Sequence, residues 1–214
     1  MPLSNIPDGL AAWLVLLAVL LYGLVHSLLA ALRVKALARR YFGSWSDRFY
    51  RLGYNIFALV SLLPVLALPA LLPDRTLYTV PFPWALLSLA LQGIALLALG
   101  IGLIQTDVWS FLGLRQLIEP PAAGNPELVV KGLYRWVRHP LYTAGLVFIW
   151  LTPLMTANVL ALNLGLTIYI VVGAYFEERK LVGEYGEAYR RYRRETPMLI
   201  PRLLPRRVFK SETG

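Results

Sequence analysis

Residues 141–176 read LYTAGLVFIWLTPLMTANVLALNLGLTIYIVVGAYF, 36 residues without one charged side chain. As a single helix this run would be about 54 Å long at ~1.5 Å per residue, whereas a bilayer core needs only roughly 20 residues. The run therefore suits two antiparallel spans with a tight turn near Thr156-Ala157-Asn158, where small polar residues favour reversal. Three more uncharged blocks precede it, Leu10–Leu32, Leu52–Leu72 and Thr76–Thr106, and each supplies one span. The expected fold is all-α: a polytopic membrane helical bundle of about five transmembrane helices over 10–32, 52–72, 84–104, 141–156 and 158–176. The 214 residues form one domain.

Composition agrees. Hydrophobic residues make up 57% and charged residues 15%, against about a quarter charged in a soluble domain. The basic residues alternate along the chain. Arg33, Lys35, Arg39, Arg40, Arg48 and Arg51 fill the loop 33–51, whereas Arg75 is alone in 73–83. Arg115, Lys131, Arg135 and Arg138 fall in 105–140, and ten of the 21 basic residues follow Phe176. Cytoplasmic segments carry the Lys and Arg excess. This pattern predicts an integral membrane protein with its N-terminus outside and its C-terminus in the cytoplasm, which for a bacterial protein would be the inner or plasma membrane.

The net charge of +9 is then drawn to anionic headgroups, at about 1 kcal/mol per residue near the surface. The lipid bilayer is the expected partner. With no separate basic domain, no nucleic-acid partner is expected. The chain has no cysteine, which excludes disulfides, thiolate metal sites and a cysteine nucleophile; no metal site is expected. The N-terminus lacks a basic region ahead of its long first block, which is read as a retained helix.

Within the expected spans, Gly93, Gly100 and Gly102 would let a neighbouring helix approach closely. Asp107–Leu117 mixes aromatic, apolar and polar residues and suits an interfacial amphipathic piece. The proline-rich stretch 119–126 reads as a loop. After Phe176 the helix continues in charged form. Glu187 stands three and four residues before Arg190 and Arg191, and Pro197, Pro201 and Pro205 end regular structure.

Two segments carry the candidate chemistry. In Gly132-Leu-Tyr-Arg-Trp-Val-Arg-His-Pro-Leu-Tyr142, Pro140 suits the first turn of a helix and bends His139 away from it. In Glu177-Glu178-Arg179-Lys180-Leu181, two carboxylates leave the last span. Because the two spans between them are antiparallel, His139 and Tyr142 should meet Glu177 or Glu178. Cations, carboxylates and aromatic rings at one membrane edge suit a zwitterionic ligand with an aromatic part. A plainer role also fits: Arg135 and Arg138 as interfacial anchors, paired with the two glutamates.

The order Gly132, Tyr134, Arg138-His139-Pro140, Tyr142, then Glu177-Glu178 and Leu181, then Gly186, Tyr189 and Tyr192 resembles the isoprenylcysteine carboxyl methyltransferase and phospholipid methyltransferase superfamily. The likeness covers roughly residues 110–201. It implies S-adenosylmethionine as methyl donor, held in a cytoplasmic cofactor region over 107–140 and 177–205. The acceptor it implies is a small thiol or a lipophilic, prenylcysteine- or lipid-like molecule. By the resemblance, the cofactor contacts would be Leu128, Val129, Val130, Tyr134, Arg138, His139, Tyr142, Glu177 and Glu178. His139, Glu177 and Glu178 are the candidates for catalysis.

His26-Ser27-Leu28-Leu29-Ala30, Arg48 to Asn55, and Phe111 to Gln116 are similar to the membrane methanethiol S-methyltransferase branch, which adds Gln116 to the cofactor candidates. Prenylcysteine carboxyl methyltransferases place an arginine one turn before the glutamate pair; here Gly173 stands there. A buried carboxylate acceptor without a cation is costly. Two other readings follow from weaker likenesses. One is a haem protein related to the nitric-oxide-metabolism and ζ-carotene isomerase family, with His26 and His139 as ligands. The other is a non-catalytic membrane scaffold.

Overall fold

The computed structural model describes residues 6–118, 128 and 130–202. The expected loop 119–126, Val129 and Pro205 lie outside them. The described residues form helices α1 (Asp8–Ala30), α2 (Leu32–Phe42), α3 (Ser44–Leu71), α4 (Trp84–Gln105), α5 (Val108–Leu112) and α6 (Arg115–Ile118). A 3-10 turn at Gly132–Arg135 leads to α7 (Pro140–Trp150), α8 (Ala157–Tyr185) and α9 (Glu187–Glu195). Two short strands, β1 (Thr76–Thr79) and β2 (Leu154–Thr156), pair antiparallel.

The all-α membrane bundle is present. Helices α1, α3, α4 and α8 are long and apolar enough to cross a membrane. Their outward side chains remain uncovered by protein: Leu17, Leu21, Leu24 and Leu28 of α1 are each more than half exposed. That surface is tolerable only against hydrocarbon.

The expected fourth span, 141–156, is corrected. Helix α7 has 11 residues, about 17 Å at ~1.5 Å per residue, and an extended segment follows it. Pro153 stops the helix, since its ring would clash with the Ile149 carbonyl and it pushes Thr152 extended. The carbonyls freed at this end are satisfied from neighbouring helices. Gln92 Nε2 donates to the Phe148 carbonyl at 2.8 Å and Asn163 Nδ2 to that of Ile149 at 2.8 Å. The chain then reaches α8 through β2, and Thr156 caps α8 by accepting from the Val159 amide at 3.2 Å. The turn at Thr156-Ala157-Asn158 is where the sequence puts it, and fully buried Asn158 donates to the Pro73 carbonyl at 3.1 Å.

The expected loop 33–51 is also corrected. It is helical: α2 ends at Gly43, whose positive φ of 58° turns the chain directly into α3. The interfacial piece after Asp107 divides into α5 and α6 at Gly113.

The tightest helix pairing joins the chain's two ends. Ala11, Val15, Val19 and Gly23 recur every four residues on α1 and face Ala161, Gly165 and Tyr169 on α8. A Cβ on Gly165 would stand 2.9 Å from Val19 Cγ1, and one on Gly23 2.7 Å from Tyr169 Cδ2. Without water to drive association in lipid, this close packing by small residues supplies the contact energy. Of the three glycines noted on α4, only Gly102 is packed, against Leu141; Gly93 and Gly100 face open space.

Candidate functional site

Pro140 is the first residue of α7, and His139 precedes it in a non-helical conformation with φ −123° and ψ 68°. The bend turns the Arg138 and His139 side chains toward α8. Their backbone amides donate to the carbonyls of Pro197 at 2.9 Å and Met198 at 3.1 Å. The segment after α9 thus lies alongside them.

The two glutamates of α8 have different environments. Glu178 is buried. Its Oε1 accepts from Arg138 Nε and lies 2.6 Å from both Nε and Nη2 of Arg138, and its Oε2 lies 3.2 Å from Arg193 Nε. His139 Nε2 is 3.3 Å from the same Oε1. Arg138 also donates to the carbonyls of Arg193 and Thr196. Every strong group in this cluster is occupied by another, as a buried ion pair requires. Glu177, one residue earlier, keeps 44% of its side chain exposed. Its Oε2 accepts from the Tyr142 hydroxyl at 2.8 Å and lies 3.7 Å from His139 Nδ1. The His139 and Tyr142 rings stack with centroids 5.2 Å apart and planes at 10°.

Helix α9 locks this arrangement from below. Gly186, with φ 58°, supplies the turn between α8 and α9. Tyr189 and Tyr192 are buried edge to face, and the Tyr192 hydroxyl donates to the Tyr134 carbonyl. Burial, then the nearby Glu178 charge, pushes Tyr189 up to about 12, so it stays protonated. Tyr134 is raised by burial and then by the charge of Glu177. Gly132 is held by close approach: a Cβ there would stand 2.3 Å from Gln105 Nε2, whose partner oxygen accepts from the Leu133 amide at 3.0 Å.

Of the sequence-derived site residues, the structure brings together Arg138, His139, Tyr142, Glu177 and Glu178, with Tyr134 beside them. Leu128 and Val130 are half-buried on the approach to the 3-10 turn. Gln116 sits on α6 and donates to the Ser110 carbonyl at 3.3 Å, while its Oε1 is buried without a partner.

A cavity of about 350 Å³ opens beside Tyr142. Its walls come from α1, α2, α3, α5, α7 and α8, and include His26, Lys35, Arg51, Tyr54, Phe111 and Gly173. The sequence segments that looked like separate short motifs meet here. Asn55 Nδ2 donates to the carbonyls of Phe111 and Leu112, both at 2.9 Å, fixing α5 to α3. Gly113, with φ 87°, lies so close that a Cβ would stand 2.6 Å from the Leu52 amide nitrogen. Tyr54 bonds His26 Nε2. Sequence reading missed Lys35, Arg51, Tyr54 and Tyr169 as site residues, because the positions that form one wall stand more than a hundred residues apart.

A family model described as Phospholipid methyltransferase matches residues 89–188. The methanethiol S-methyltransferase of a Pseudomonas species is 36% identical over 206 residues, 87% of this chain and 74% of that protein. Methanethiol S-methyltransferase 2 of Bradyrhizobium diazoefficiens is 52% identical over 75 residues, 35% of this chain and 29% of that protein's length. Human Nurim is 28% identical over 209 residues, covering 84% and 77% of the two chains. No solved structure matches the chain. Taken with the Arg-His-Pro bend facing the glutamate pair, these likenesses show that the chain belongs to the isoprenylcysteine carboxyl methyltransferase and phospholipid methyltransferase superfamily of membrane proteins, alongside the methanethiol S-methyltransferases.

Proposed function

We propose that the protein is an S-adenosylmethionine-dependent methyltransferase of the membrane, acting on a small thiol. The observation that carries this reading is the position of Glu177: half-exposed, oriented by Tyr142, and beside a cavity of about 350 Å³. The residues fit the donor. The donor, when bound, supplies an electrophilic methyl group on a sulfonium. Glu177 has one carboxylate oxygen free of Tyr142 and suits the donor's ammonium, while the rings of Tyr134 and Tyr142 suit its cation by cation–π attraction. Glu178 and His139, expected as partners for the donor, serve better as the frame that holds Tyr142 and Glu177 in place. Alignment and exclusion of water then do the catalytic work, since in-line transfer needs no covalent enzyme intermediate.

Gly173, standing where prenylcysteine carboxyl methyltransferases place an arginine, is compatible with a small sulfur acceptor. It lines the cavity with open space where a side chain would be. The relatives whose printed names specify methanethiol point the same way. The basic residues Lys35, Arg39, Arg51 and Arg138 all stand at the site's end of the bundle, which supports a cytoplasmic site. The haem reading gains nothing from this geometry: His139 Nε2 faces Glu178 and His26 Nε2 faces Tyr54.

The test is purified protein in detergent with isotopically labelled donor. Saturable donor binding followed by labelled dimethyl sulfide from methanethiol is the expected result. No donor binding at millimolar concentration would overturn the reading. Transfer to a prenylcysteine or lipid amine alone would replace the acceptor class.

A further inference from the structure

The cavity is lined by a half-buried polar group that donor binding does not use. His26 lies on α1 among Tyr22 of the same helix, Tyr54 of α3 and Tyr169 of α8, with ring centroids 5.6, 4.8 and 5.8 Å away. Its Nε2 is bonded to the Tyr54 hydroxyl, and its Nδ1 is buried with no partner. An unpaired ring nitrogen at membrane depth costs free energy. In the tautomer whose Nε2–H donates to Tyr54 Oη, Nδ1 presents an unused lone pair.

The same cavity is also lined by cations. Lys35 of α2 and Arg51 of α3 line the same cavity, and among the described residues no carboxylate pairs with either. The other titratable groups at the cavity are the hydroxyls of Tyr50 and Tyr142, and the Tyr50 hydroxyl is turned to the Leu29 carbonyl at 2.6 Å. Burial, then Arg51 and Lys180, lower Lys35 from the ordinary lysine value. Two cations lining one cavity, neither paired to a carboxylate among the described residues, favour an anion there.

Building on the methyltransferase reading above, we propose that this cavity is the acceptor pocket and that His26, held by Tyr54, takes the proton of the incoming thiol. The acceptor S–H bond breaks and its proton passes to His26 Nδ1. Lys35 and Arg51 stabilise the resulting thiolate, as cations do for any thiol. The sulfur then forms a bond to the methyl of a sulfonium donor. The donor's carbon–sulfur bond breaks with its electron pair left on the donor sulfur, giving a neutral thioether. His26 returns its proton to water. His26 is thus a catalytic residue at the acceptor, separate from the Glu177 end of the site. The motifs resembling the methanethiol branch supply this pocket, whereas the Arg-His-Pro and Glu-Glu motifs build the frame at the other side of Tyr142.

The experiment compares wild type with His26→Asn and Tyr54→Phe, all checked for retained fold by circular dichroism. Donor-free protein is loaded with methanethiol and the S–H stretching band is recorded by infrared spectroscopy. At neutral pH the band should be lost in wild type and persist in His26→Asn. With donor added, His26→Asn should lose about a hundredfold in kcat/KM at neutral pH, the usual size of a general-base contribution. It should recover toward wild type as pH rises past the thiol's own ionisation, and Tyr54→Phe should show a smaller loss with the same recovery. A persistent S–H band in wild type, or a His26→Asn loss that is absent or equal at every pH, would overturn the proposal. Wild-type protein that ionises methanethiol but never transfers methyl would instead sink the methyltransferase reading and leave the pocket assignment standing.

Discussion

The Tyr142 hydroxyl donates to the Glu177 carboxylate at 2.8 Å while the Tyr142 side chain forms part of the cavity wall. One side chain therefore joins the acidic group of α8 to the space where an acceptor would lie. Stacking on His139, which the Glu178 cluster immobilises, holds that side chain in register. Tyr142→Phe keeps the stack and removes only the bond. Its expected effect is about a tenfold fall in kcat/KM, the worth of a charge-assisted hydrogen bond at ~1.5 kcal/mol. Steady-state kinetics with varied donor and thiol checks it; an unchanged value would mean that Glu177 needs no orientation.

Glu177 and Glu178 should separate cleanly under mutation. Glu178→Gln leaves Arg138 and Arg193 facing a neutral amide in a buried site, and removing one partner of such a pair costs about 3–5 kcal/mol. Unfolding in graded denaturing detergent should show that loss. Glu177→Gln should unfold near wild type yet bind the donor at least tenfold more weakly by calorimetry. Equal stability losses in both would remove the distinction.

The glycines offer a sharper steric contrast. At Gly113 an added Cβ meets the Leu52 backbone at 2.6 Å and the φ is 87°, so Gly113→Ala should destabilise by more than about 1 kcal/mol and distort the cavity wall at Phe111. Gly93 faces open space inside α4, where alanine is worth about 0.5–1 kcal/mol over glycine. Gly93→Ala should be neutral or stabilising in the same assay.

Lys35 makes a pH-dependent contribution with a definite sign. Its folded value lies below the 10.5 of the unfolded chain, through burial first and then Arg51 and Lys180. Between the two values the unfolded chain binds more protons, so stability rises with pH through that window. Below it, the charged lysine is a standing cost. Lys35→Met should raise stability at neutral pH, flatten the rise on the alkaline side, and weaken thiol binding. Unfolding midpoints from pH 7 to pH 10 (about three units across the window) check this; a destabilised Lys35→Met would contradict it.

Much of the architecture was readable from hydropathy alone, because a bilayer imposes one requirement on every span: a long uncharged run with its backbone bonds satisfied internally. Hence α1, α3, α4 and α8 appear where uncharged blocks stand, and Asn158 sits at the reversal. The error over 141–156 has a local cause. Pro153 lies within an apolar run, and hydropathy does not register a helix stop. The meeting of His139 with Glu177 and Glu178 was also legible, since consecutive antiparallel elements put their ends together.

The division of labour between Glu177 and Glu178 was not legible, nor was the cavity. Adjacent residues on a helix point about 100° apart at 3.6 residues per turn, so a dipeptide of identical side chains reveals nothing about which one faces Arg138 and Arg193 and which faces Tyr142. His26, Lys35, Tyr54, Phe111 and Tyr169 share one wall because α1 packs on α8 across small residues and Asn55 fixes α5 to α3. Those are contacts between distant parts of the chain, set by shape complementarity in lipid, and no pattern of local spacing encodes them.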